Sequence, residues 1–182
     1  MTGVLPSSYL KRSFAKLTYP FLFLILLPCL SFKGTDRKPL GIADEAEAEA
    51  LQFRSGVAGW AQNFTGIRYR HAGRTPANGF DCSGFTSYIL DEFEVKVSPS
   101  SRTQSTQGYK ISLADVLPGD LVFFGGRGRI QHVAMVVEHT ADGIICVHST
   151  SSRGVVVENI STSKYWKPKI LFARDVITGQ SF

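Results

Sequence analysis

Two-thirds of the way along this 182-residue chain the apolar pattern changes its period, and no other feature constrains the fold as strongly. Before the change, Phe85, Ile89 and Phe93 recur four apart, which is one apolar stripe of a helix. An earlier helix is expected from Glu45 to about Trp60, rich in Ala and Glu, with Asp44 as its cap and Gly56 and Gly59 blurring its end. Leu117-Pro118-Gly119-Asp120 then reads as a turn, and the apolar runs beyond it shorten to strand length: residues 121–124, 132–138, 143–148, 155–158 and 170–173. Asp142-Gly143 and Arg153-Gly154 supply turn residues between them, while residues 125–129 read as a mobile glycine connection. Residues 70–79 and 98–107 read as loops. Helices first and an antiparallel sheet afterwards is an α+β plan, in one domain with one core.

Composition matters for what it excludes. Apolar residues make up 43% and charged residues 19%, which suits a folded chain rather than a disordered one. The formal charge of +5 is concentrated at the start, where Lys11, Arg12 and Lys16 precede an apolar run from Leu17 to Leu30. Without residues 1–31 there remain 17 basic and 15 acidic residues, and no stretch interleaves cations with aromatics, so no nucleic-acid partner is expected. The apolar run is shorter than a spanning helix needs, about 20 residues, and has the length of a signal h-region. Cleavage after Ser31 is the first reading. Lipidation of Cys29, poorly served by Pro28 before it, is the second, and an uncleaved anchor is the third. All three place the remainder outside the cytoplasm and confine membrane contact to the N-terminal segment. The expected organisation is a leader over 1–31, a linker over 32–43 and a folded domain over 44–182, acting as a monomer.

The candidate chemistry centres on Cys82. With Asp81 or Ser83 as cap it falls at a helix start, where partial positive charge and unpaired N–H groups favour the thiolate. A histidine within reach would complete a nucleophile and its base. His132 opens one strand on the face of Ala134 and Val136, and His148 ends the next on the face of Ile144 and Cys146. A hairpin through Asp142-Gly143 makes these histidines cross-strand neighbours, one ring orienting the other. A structural cysteine and two satisfied polar rings are the bland alternative, and spacing alone favours it. Cys146, in an apolar strand, reads as core facing the helix, whereas His71 and His139 read as surface residues. Cys82 and Cys146 are expected as free thiols, and no Cys or His pair has zinc-ligand spacing, so no metal or other cofactor is expected.

Around these residues the sequence resembles the NlpC/P60 family of cell-wall cysteine peptidases. The resemblance runs from about Trp60 to Ala173 and rests on ordered segments: Asn78-Gly79-Phe80-Asp81-Cys82-Ser83-Gly84-Phe85, residues 117–124, Ile130-Gln131-His132-Val133-Ala134-Met135, and Val147-His148-Ser149. It implies a papain-like α+β domain that hydrolyses peptidoglycan stem peptides, commonly between D-γ-glutamyl and a diamino acid. By position, Cys82 is the nucleophile, His132 the base and His148 its orienting partner. Tyr69, with the Cys82 N–H, matches the oxyanion donors, and Asp81 and Ser83 match positions that hold a substrate amine in some members. Arg70-His71-Ala72-Gly73 departs from the usual aromatic and paired glycines, which puts the groove beside Tyr69 in question. A cysteine amidase or acyltransferase on the same scaffold, and a catalytically silent wall-binding module, are the rival functions.

Overall fold

The computed structural model describes residues 42–178, which lie within one compact unit, Pro39–Phe182. The expected leader, residues 1–31, and nearly all of the expected linker lie outside the described residues. The last two linker positions, Ile42 and Ala43, belong to the first helix.

Helix α1, Ile42–Gln62, leads through a turn to a two-stranded ribbon of β1, Arg74–Thr75, and β2, Gly79–Phe80. Helix α2, Cys82–Asp91, follows at once, and the short α3, Ser101–Gln104, lies inside the segment expected to be loop. The remainder is β3, Tyr109–Ile111; β4, Leu121–Gly126; β5, Arg129–Thr140; β6, Gly143–Thr150; β7, Gly154–Asn159; and β8, Ile170–Asp175. These six strands form one antiparallel sheet in the order β3-β8-β4-β5-β6-β7. The β1–β2 ribbon and β3 are too short to leave an alternation in sequence.

The glycine connection proves tighter than expected. Gly125 and Gly126 continue β4, and only Arg127 and Gly128 turn, both with positive φ (52° and 74°) as a two-residue hairpin of matching twist requires.

Both faces of the sheet are buried along its central strands. Leu121, Phe123, Val133, Met135, Val147 and Val155 point to α1 and α2, where Val57, Phe85, Ile89 and Leu90 complete the first core. The alternate residues Val122, Phe124, Ala134, Val136, Ile144 and Cys146 form a second core under Val116, Ile160 and Trp166. Cys146 therefore shares the face of His148 as expected, but that face looks away from the helices, because loops cover it and not α2. The alternation fixed the side and left unsaid what lay over it. Its thiol is fully buried, which pushes its pKa up.

Candidate functional site

The local sequence explains why Cys82 stands where it does. Asp81 has extended backbone and caps α2, its Oδ1 accepting from the Gly84 N–H at 2.6 Å and the Ser83 hydroxyl at 3.1 Å. The same hydroxyl lies 3.0 Å from the Pro99 carbonyl. Below the cap, α2 presses on the loop before it so closely that a Cβ on Gly84 would sit 2.0 Å from the Gly73 carbonyl oxygen. Cys82 is thus the first helical residue and is half-buried.

The helix start supplies the N–H groups of Cys82 and Ser83, and the Val133 N–H within β5 adds another. All three favour the thiolate. Burial nonetheless dominates, and with the charge of Asp81 it pushes the thiol's pKa above its ordinary value. The net direction is the reverse of the expectation from the helix terminus alone.

The paired register of β5 and β6 runs from Thr140↔Gly143 to Met135↔Val147. His132 and His148 lie just beyond it, and their rings close the gap: His132 Nε2 is 2.8 Å from His148 Nδ1. His148 is fully buried, and its Nε2 lies 2.9 Å from Glu158 Oε1 on β7. A carboxylate oxygen only accepts, so the proton of His148 sits on Nε2 and its Nδ1 must accept in turn. His132 therefore donates from Nε2 and carries its free lone pair on Nδ1. Burial above all, with the charges of His148 and Lys169 adding to it, holds the His132 pKa down to about 3. His148 is lowered too, burial outweighing the opposing pull of Glu158. The resting pair is a thiol and a neutral imidazole.

Three residues complete the arrangement that the sequence reading missed. Glu158 Oε1 also accepts from Trp166 Nε1 at 3.0 Å and from Arg153. Burial alone would raise the Glu158 pKa, but the bonds from Arg153, His148 and Trp166 hold it below the usual range. Trp166 stacks on His132, with centroids 4.5 Å apart at 23°. Lys169 places its ammonium 3.0 Å from the Tyr165 ring centroid and 5.9 Å from that of Trp166. The one legible signal was Glu158 alternating with Val156 in an otherwise apolar strand. Nothing local marks Trp166 or Lys169.

A cavity of about 610 Å³ gathers Tyr69, Cys82, His132, Glu158, Trp166 and Lys169, along with a run of hydroxyls at 149–152. The Tyr69 hydroxyl is kept protonated, first by burial and then by Cys82 and Asp81. Asp81 and Ser83 do not line this cavity; the structure places them at the cap. His71 and His139 are exposed, the latter within β5 and not past its end. Arg70–Gly73 closes as a turn in which Ala72 takes a φ of 55°, and it too stays off the cavity wall. Cys82 and Cys146 are both free thiols. Among the described residues no cluster of three His, Cys, Asp or Glu is placed to hold a metal ion.

A cysteine on a helix start against an antiparallel sheet that carries a histidine pair defines the papain-like α+β class. Within it, the chain belongs to the NlpC/P60 family, whose model matches residues 66–175. It is 32% identical over 133 residues to a gamma-DL-glutamyl hydrolase of Bacillus subtilis, covering 71% of this chain and 31% of that protein. It is 30% identical over 129 residues to the murein DD-endopeptidase MepS/murein LD-carboxypeptidase of Escherichia coli K12, covering 70% of this chain and 65% of that one. A crystal structure of an NlpC/P60 family protein from Bacillus cereus superimposes with a TM-score of 0.61 at 28% identity, covering 68% of this chain and 40% of the other. The chain thus spans about a third of the gamma-DL-glutamyl hydrolase and well under half of that structure.

Proposed function

We propose that this chain is a cysteine endopeptidase that hydrolyses amide bonds in peptidoglycan stem peptides, with D-γ-glutamyl–diamino acid as the bond cut. One observation carries the reading: the relay from Glu158 through His148 leaves His132 with an unprotonated Nδ1, on a ring that lines the same cavity as Cys82. The names of the similar gamma-DL-glutamyl hydrolase and murein endopeptidase support the substrate class.

His132 Nδ1 takes the proton from Cys82 as sulfur attacks the scissile carbonyl carbon. The Cys82 N–H and the Tyr69 hydroxyl donate to the oxyanion. As the C–N bond breaks, His132 returns the proton to the leaving amine, and a thioester remains. Water, deprotonated by the same nitrogen, then releases the acid and regenerates the thiol. His148 holds the ring that performs each transfer. Asp81 and Ser83 stand beside the nucleophile as the proposed partners of a substrate amine. Action on wall peptides needs a location outside the cytoplasmic membrane, which the expected leader would supply; the domain itself is proposed to act as a monomer.

The test is release of peptides from purified peptidoglycan by wild type and by Cys82→Ala, with products identified by mass spectrometry. Release should vanish in the variant while its melting temperature holds. Equal release by both would end the reading, a product bearing a new acyl acceptor would indicate a transferase, and wall binding without cleavage would indicate a silent module.

A further inference from the structure

Charge is distributed unevenly within the cavity. Its one lining carboxylate, Glu158, is engaged by Arg153, His148 and Trp166. Arg153 is thereby neutralised, and among the described residues Lys169 is the lining cation with no carboxylate partner. Its ammonium rests on Tyr165, and its neighbour Trp166 is stacked on His132. A face-on aromatic is a weaker partner for a cation than a carboxylate, so the lysine is positioned without being satisfied.

Resting on the proposed hydrolysis, we infer that Lys169 binds a carboxylate on the leaving half of the substrate. The preferred bond then joins an acyl group to a diamino acid that carries a further free carboxylate. The direction follows from the chemistry. The leaving nitrogen takes its proton from His132, so the fragment attached to that nitrogen must extend past the His132 ring. Trp166 stacks on that ring and Lys169 adjoins Trp166, whereas Cys82 opens α2 and Tyr69 bridges to Phe80 just before it. A leaving group ending in an ammonium meets like charge there, and an amide forfeits the ion pair. The carboxylate would also offset the Lys169 charge that weakens His132 as a base, so the matching substrate strengthens the group that must act on it.

The experiment uses three peptides with the same acyl half, whose diamino acid ends in a free carboxylate, the corresponding primary amide, or an amine as in lysine. Binding to Cys82→Ala is measured by calorimetry, so that recognition is read without turnover; cleavage by the wild type is followed separately. The carboxylate peptide should bind about tenfold or more tightly than the amide, with the amine form weakest. Lys169→Met should erase that order at an unchanged melting temperature, and Lys169→Arg should keep it. Equal binding of all three, or an order that survives Lys169→Met, overturns the inference whatever the cleavage result. Ordered binding with no cleavage by the wild type would uphold carboxylate recognition and sink the proposed hydrolysis instead.

Discussion

At the scale of single residues, the protonation of the site is set from behind. Glu158 touches neither Cys82 nor His132 by hydrogen bond, yet it fixes the tautomer of His148 and holds the indole that covers His132. Replacing it by Gln keeps the shape and removes the charge that makes these bonds strong. Glu158→Gln should lower kcat about 10–100-fold, by analogy with the loss of an outer partner of a metal-bound histidine, with little change in KM. Nitrogen NMR of the imidazoles checks the cause: the variant should mix His132 tautomers, and an unchanged pattern would reduce Glu158 to packing. The buried thiol makes a second prediction. With the Cys82 pKa raised and His132 held near 3, free protein at pH 6 contains thiol and neutral ring. Alkylation of Cys82 by iodoacetamide should therefore be slow at pH 6 and still rising beyond pH 9. A rate already at plateau at pH 6 would mean a preformed thiolate–imidazolium pair.

At the scale of elements, the site depends on how closely α2 sits on the loop before it. Gly84→Ala sets two effects against each other. Alanine favours a helix interior by about 0.5–1 kcal/mol over glycine, but the added carbon would lie 2.0 Å from a backbone oxygen of Gly73. Backbone cannot move aside as a side chain can, so the clash should win, at about 1–3 kcal/mol in a urea titration. Turnover should fall further than stability accounts for, because the helix that shifts carries Cys82; a stabilised, fully active variant would refute the packing argument. The same contrast explains what was legible in sequence. The stripe of Phe85, Ile89 and Phe93, the Asp81 cap and the hairpin signal at Asp142-Gly143 are local, and the helix and the hairpin they announce are present. Their ends differ: α2 stops at Asp91, and the turn is Ala141-Asp142, with Gly143 already paired to Thr140. The ring contact of His132 and His148 needs more than alternation plus that turn. The bulge between Val136 and Glu138 shifts the register by one and so brings His148 to the face of His132. What stayed hidden depends on which layer covers each face. Cys146 was placed on the right side but under the wrong cover, and Trp166 and Lys169 reach the site only through long-range packing.

At the scale of the molecule, one buried cation ties the first helix to the far end of the sheet. Arg54 on α1 is 3% exposed and lies 2.7 Å from both Asp120 Oδ1, just before β4, and Asp175 Oδ1, at the end of β8. Its Nη2 also donates to Thr178 at 2.9 Å. Removing it strands two carboxylates, so Arg54→Ala should cost about 3–5 kcal/mol at pH 7.5. The pH dependence separates this from lost packing. Burial raises the Asp120 pKa from 3.8 to about 6 even against the pull of Leu117 N–H and Arg54. A raised carboxyl contributes stability that is complete below 3.8 and lost as pH climbs through about 6, so its ionised form is the liability that Arg54 offsets. Asp175 has the opposite sign: burial would raise it, but its bonds to Thr178, Arg54 and Ile177 keep it depressed, so its contribution is lost only as pH falls. Without Arg54 both carboxyls move up and take protons more readily. The lowered histidines favour the folded state above about 6.5 in either protein and cancel in the difference. The deficit of Arg54→Ala should therefore shrink by about 1 kcal/mol or more between pH 7.5 and 4.5, since each unit of pKa shift is worth about 1.4 kcal/mol. Paired urea titrations at the two pH values measure it, with Arg54→Met as the packing control. A deficit that stays constant with pH would show that Arg54 holds the helix by its contacts and not by its charge.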